Sequence, residues 1–287
     1  MYMRYNFLRF PQGKAKALTL SYDDGFKYDV KLAQILTKYN IKGTFNLNGE
    51  NFRGEKCITK EEVEEYILSK GHEVAVHGYF HKSPARVRAI EGLRDVLDSR
   101  LELEKTYNRI IRGMAYPDTG NTEFIEKTSY ETVRNYLSSL DIAYARTING
   151  DNNSFSLPHD WYQWVPTAHH NNPKVMEYVD EFLALSPNKS TYVPIRHPRL
   201  FYLWGHSYEF NDNNNWDLIE EICAKFSKHA NEIWFATNIE IYNYVEAYNS
   251  LVYSADTSII HNPSLHDVWL DIDGTTYCIP SGQILQL

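Results

Sequence analysis

Apolar residues recur along this chain in two alternating rhythms. Short runs of strand-forming residues are followed repeatedly by stretches with apolar positions at helical spacing, the signature of βα units and a parallel sheet. Residues 17–22 read as a buried strand that ends in Asp23-Asp24-Gly25. Val30, Leu32, Ile35, Leu36 and Tyr39 then mark a helix. Residues 43–48 make the next strand. Thr59 with Glu62 forms a capping box, and Gly71 punctuates the end of that helix. Residues 73–77 form a third strand. Ser83-Pro84 offers an N-cap and a first-turn proline to a long helix carrying Val87, Ile90, Leu93, Leu97 and Leu101.

Further strands are predicted at residues 110–116, 142–148, 164–167, 201–206 and 233–238. Helices are predicted at residues 132–140, 175–185, 216–226 and 239–248. About eight strands with intervening helices over roughly 250 residues imply a closed or nearly closed α/β barrel. An open doubly wound sheet would carry a glycine-rich phosphate loop after its first strand, and none stands there. The texture changes near Leu251. Turn signals at Asn262-Pro263, Asp273-Gly274 and Ser281-Gly282 separate β-like runs at residues 268–272, 275–279 and 284–287. The expected division is a barrel over residues 1–250 and a small antiparallel β appendage over residues 251–287.

Composition narrows the function classes. With 43% hydrophobic and 23% charged residues the chain reads as an ordinary globular protein, and its net charge of −8 argues against gripping nucleic acid or an anionic membrane. Cys57, Cys223 and Cys278 are odd in number and far apart, which suggests reduced thiols rather than a disulfide framework. Residues 1–14 have no uninterrupted apolar segment, and nothing later approaches the ~18–20 apolar residues that span a bilayer. The expected location is cytoplasmic.

The candidate chemistry sits at the ends of the predicted strands. Asp23-Asp24 ends the first, His77 ends the third with His81 four residues on, and His206 ends a late one. In an α/β barrel these ends gather on one face, where active sites are built. Two imidazoles and a carboxylate suit a catalytic Zn²⁺ or similar divalent ion with positions left open. The His-x-x-x-His spacing is common by chance in a chain with 11 histidines; the shared placement at strand ends is what carries weight.

Ser21-Tyr22-Asp23-Asp24-Gly25 resembles the first motif of the NodB-like polysaccharide deacetylases, carbohydrate esterase family four. His77-Gly78-Tyr79-Phe80-His81 resembles their H-[ST]-x-x-H motif, and Leu203-Trp204-Gly205-His206 is similar to their late L-x-x-H motif. The matches fall in the family's order over about residues 15–245. The resemblance implies a distorted (β/α) barrel in which Asp23 is the general base and Asp24, His77 and His81 are the metal ligands. His206 would be the general acid. A cation so held acidifies water and polarises the acetyl carbonyl, and a protonated imidazole turns an amine into a competent leaving group. The implied activity is removal of N-acetyl groups from an amino-sugar polysaccharide or oligosaccharide, with Zn²⁺ the first choice of metal.

Three departures stand out. Gly78 occupies the hydroxyl position of the second motif. Met114-Ala115-Tyr116-Pro117-Asp118 aligns with the third, R-x-P-Y, with Ala115 in place of the arginine; Arg112 and Arg196 are the candidate substitutes. His159-Asp160-Trp161 only loosely resembles the fourth. Tyr116, Pro117, Asp118, Trp161 and Glu209 are the expected substrate contacts, with Asn48 and one of His169 and His170 as further candidates. Hydrolysis of another small amide or an O-acetyl ester on the same metal site is the alternative chemistry. A catalytically impaired carbohydrate-binding relative is the alternative from another class. Ala115 motivates that last reading, and the retention of base, ligands and acid together argues against it.

Overall fold

The β-rich runs lie side by side in one curled sheet. The computed structural model describes residues 3–49, 54–118, 120–125, 127–148 and 152–287. Nine strands come first in the chain: β1 Asn6–Arg9, β2 Lys16–Asp23, β3 Thr44–Leu47, β4 Glu73–Val76, β5 Gly113–Ala115, β6 Tyr144–Arg146, β7 Ala168–His169, β8 Arg199–Gly205 and β9 Ile233–Phe235. All but β1 form a parallel sheet in the order β6-β5-β4-β3-β2-β8-β7, with β9 also on β2. All eight residues of β2 are buried, as expected where helices cover one face of a sheet and its own curl covers the other.

Helices α1 Asp29–Lys38, α2 Lys60–Glu62, α3 Ala89–Tyr107, α4 Tyr130–Ser139, α5 Val175–Ala184, α6 Ser207–Asp212, α7 Trp216–Ser227 and α8 Asn238–Asn249 surround the sheet. Among the described residues, none of these is long and apolar enough to cross a membrane. The Thr59–Glu62 capping box forms as expected, and Gly71 takes a left-handed φ of 79° at the end of that helical stretch. The long helix α3 does not start at Ser83-Pro84. Its capping box is Arg88 with Glu91, because the Ser83 hydroxyl is drawn into a tertiary bond, donating to the Gly120 carbonyl at 2.8 Å.

The strand expected at residues 164–167 is also different. Trp164 bridges to Arg146 of β6, while the Thr167 N–H donates to the Tyr202 carbonyl of β8 at 2.8 Å. This segment therefore spans the two edges of the sheet and closes the barrel, too briefly at either edge to form a regular strand there.

The C-terminal turns separate strands β10 Val252–Tyr253, β11 Ile259–His261, β12 Val268–Ile272, β13 Thr275–Ile279 and β14 Ile284–Gln286. These form two small antiparallel sheets, β1-β12-β13 and β10-β11-β14. The N-terminal strand β1 thus belongs to the C-terminal sheet. Buried Arg9 of β1 and Arg196 both pair with Asp271 of β12. Arg196 is consumed by this contact and is no substitute for the third-motif arginine.

Glu73, at the start of β4, shows how the closed end of the barrel holds polar groups. Its carboxyl accepts from Tyr144 Oη at 2.7 Å, Thr44 Oγ1 at 2.9 Å and the Ile239 N–H at 2.9 Å. Burial pushes its pKa up to about 7, against the partial offset of these bonds. A folded-state pKa above the ordinary value of 4.5 gives stability that is full below 4.5 and lost as pH rises through about 7. Glu73→Gln is therefore expected to remove a pH-dependent loss on the order of 3 kcal/mol. Denaturant midpoints across this window test it, and an unchanged slope in the variant would refute the assignment.

Candidate active site

Asp23 closes β2 and Asp24 begins the turn after it. A left-handed φ of 77° at Asp24 bends the chain sharply, so the adjacent carboxylates meet different neighbours. Asp23 is buried. Its Oδ1 accepts from Asn46 Nδ2 at 2.7 Å, and its Oδ2 accepts from the guanidinium of Arg146. Asp24 Oδ1 lies 3.5 Å from His77 Nε2 and 3.2 Å from His81 Nε2. Its Oδ2 lies 3.9 Å from His206 Nε2.

Asp24, His77 and His81 each present a ligand atom within 4.8 Å of the others. The far nitrogens of both imidazoles are already engaged. His77 Nδ1 is 2.9 Å from the Ala115 carbonyl, which can only accept, so the proton sits on Nδ1 and Nε2 is left with a lone pair. His81 Nδ1 lies 3.4 Å from Asp118 Oδ1. Outer partners of this kind fix ring orientation at metal sites. Asp118, expected to contact substrate, also bears on His81. Burial alone would raise the Asp24 carboxyl, but the imidazoles of His77, His81 and His206 around it outweigh that and hold it well below the usual carboxylate range.

Gly78 has a physical reason. It holds a φ of 74°, and a Cβ there would come within 2.4 Å of Asp95 Oδ2. Asp95, on α3, accepts from the Phe80 N–H at 2.6 Å and so restrains the loop between the two histidines. Asp24, His81 and Asp118 are non-glycine residues with φ of 77°, 53° and 51°, a clustering of left-handed backbone that marks a tightly determined site.

His206 follows β8 and caps α6. Glu209, three residues on, accepts from the His206 N–H at 3.2 Å, and its Oε2 lies 3.4 Å from His206 Nδ1. The same oxygen lies 3.2 Å from Nε2 of both His169 and His170. Glu209, expected to contact substrate, thus faces three imidazoles. Burial lowers His206, but Glu209 and the two aspartates overcome this and raise its pKa above the ordinary histidine value.

Arg146 was not among the sequence candidates. It ends β6, is fully buried, pairs with Asp23 and lies 4.3 Å over the Trp204 ring. Arg112, the other candidate, pairs with Asp141 at the surface. The buried arginine comes from β6, one strand along the barrel from Ala115, and its signal in the sequence is a lone charge inside the predicted run 142–148. Arg146→Met leaves the Asp23 carboxylate buried without its cation. It is expected to cost about 3–5 kcal/mol of stability, measurable by chemical denaturation; a loss under about 1 kcal/mol would refute the pairing.

The remaining expected contacts lie elsewhere. Tyr116 is buried, donating from Oη to the Tyr162 carbonyl at 2.9 Å and from its N–H to the Arg146 carbonyl at 3.0 Å. Pro117 follows it, and its carbonyl accepts from the Gly120 N–H at 3.1 Å in the turn that carries Asp118. Trp161 packs on Trp164 and Tyr242, with Nε1 3.3 Å from Glu246 on α8, and does not join the site. Asn48 donates to the His77 carbonyl at 2.7 Å, a structural bond.

Residues 11–144 match the family model for polysaccharide deacetylases. A Mycobacterium smegmatis protein assigned to the polysaccharide deacetylases is similar in structure, with TM-score 0.56 at 15% identity over 87% of this chain and 96% of that one. The Xyl-CE4 domain of a multidomain xylanase from the hindgut metagenome of Trinervitermes trinervoides gives TM-score 0.52 at 16% identity over 81% and 92%. Against the Streptococcus pyogenes deacetylase PplD in complex with acetate the figures are 0.40 and 19%, over 46% of this chain and only 55% of that one. No curated protein matches.

Proposed function

We propose that this chain, a NodB-like polysaccharide deacetylase by its family match and its curled parallel (β/α) barrel, is a metal-dependent hydrolase that removes N-acetyl groups from an amino-sugar polysaccharide or oligosaccharide. One observation carries the reading: Asp24, His77 and His81 converge with both Nδ1 atoms engaged, leaving both Nε2 atoms facing the carboxylate. Two imidazoles and a carboxylate fit Zn²⁺ or a similar divalent ion. When bound there, such an ion would acidify a water and polarise an acyl carbonyl.

The chain's own groups divide the proton work. Asp23, buried beside Asp24, takes the proton of the attacking water, and Arg146 and Asn46 hold the carboxylate in place. His206 lies across Asp24, and its acidic neighbours raise its pKa above the ordinary histidine value, which favours the imidazolium that can give its Nε2 proton to the departing nitrogen. Glu209 faces that imidazole, its carboxylate accepting from the His206 N–H at 3.2 Å and lying 3.4 Å from Nδ1.

Acetate release from N-acetylglucosamine oligomers, acetylated xylan and a cyclic amide, each before and after chelation, tests the proposal. The expected result is release from the oligomers, lost on chelation and restored by Zn²⁺. Turnover of xylan esters or the cyclic amide alone would move the chain to the alternative chemistry. Activity indifferent to chelation would refute metal dependence.

A further inference from the structure

We propose a second divalent-cation site formed by His169, His170 and Glu209, whose occupancy withdraws Glu209 from His206. The site lies beyond His206 from Asp24 and shares no residue with the first. The ligand atoms of these three side chains lie within 4.8 Å of one another. Strand β7 places Ala168 and His169 against Leu203 and Trp204 of β8, and the chain turns at once, bringing the two rings to 4.6 Å between centroids. The first turn of α6 sets Glu209 opposite them, with Oε2 3.2 Å from each Nε2.

His170 points to a ligand. It is 0% exposed, yet among the described residues Nδ1 has no hydrogen-bond partner and Nε2, though 3.2 Å from Glu209 Oε2, makes no aligned hydrogen bond, an uncommon state for a buried polar group. Its ring is stacked between Phe210 at 4.1 Å and Tyr22 at 5.7 Å. Gly205 permits this placement, since a Cβ there would lie 2.0 Å from His170 Nδ1. The imidazole is thus locked with Nε2 toward the carboxylate. Two histidines and a glutamate are a ligand set for the same class of borderline cation.

The site should be the weaker of the two. His169 Nδ1 accepts from the Asn171 N–H at 3.1 Å, so the proton of the neutral ring sits on Nε2. An ion bound there must displace that proton, and the Asn171 contact gives way as Nδ1 takes it up. The carboxylate oxygen engaged is also the one 3.4 Å from His206 Nδ1, so filling the second site loosens the anchor of His206.

Equilibrium dialysis with Zn²⁺, followed by elemental analysis, tests the proposal without reference to catalysis. The native chain should bind one equivalent at low Zn²⁺ and a second at higher concentration. His77→Ala with His81→Ala should lose the first and keep the second. His169→Ala, at a part-exposed position, and Glu209→Gln should each lose the second and keep the first, with thermal melting as the check on folding. A native chain that saturates at one equivalent overturns the proposal. So does a second equivalent that persists in both His169→Ala and Glu209→Gln. Failure of the first site alone would show only in the His77→Ala, His81→Ala arm.

Discussion

Asp23→Asn and His206→Ala should both keep the tightly bound metal while kcat falls by roughly 10²-fold or more in each, and an activated ester should then separate them. Asp23→Asn retains shape and the Asn46 contact but cannot accept a proton from water. His206→Ala removes the donor to the leaving group, which lies across Asp24 at 3.9 Å. An ester whose leaving group needs no proton bypasses the missing acid, so it should partly restore His206→Ala and leave Asp23→Asn slow. Rescue of the base variant and not the acid variant would reverse the assignment. Near-full activity in Asp23→Asn would end it.

The second large effect concerns the ligands. His77→Ala combined with His81→Ala is expected to abolish the tight metal equivalent, and with it turnover, because Asp24 alone cannot hold the ion against water. Elemental analysis at low free Zn²⁺ is the readout. Asp24→Asn should weaken binding as well as activity, unlike Asp23→Asn. An undiminished tight equivalent in the double variant would show that the ion, if bound, is held elsewhere.

The convergence of Asp23, Asp24, His77 and His206 was legible because each follows an apolar run, and parallel strands in a barrel deliver their ends to one face. The barrel was legible for a related reason. Its strands are buried on both faces and its helices on one, so their periodicities differ along the chain. Strand β1 was missed because four residues carry little pattern, and its partner β12 lies more than 250 residues away. The segment at residues 164–167 was misread as one strand because its two short pairings belong to different neighbours.

What the sequence determined by itself was therefore local: the order of strands and helices, the turn chemistry, and which catalytic types occupy strand ends. Tertiary structure alone decided what supports them. Arg146 reaches Asp23 across 123 positions, Asp95 restrains the His77–His81 loop from a later helix, and Glu209 gathers three imidazoles from two elements. Arg196 goes to the C-terminal sheet, and Trp161 packs on α8. Each of these is a charge or a ring whose partner is set by where two separate elements meet. Periodicity records which side of its own element a residue occupies, and it carries no information about the residue that faces it from another.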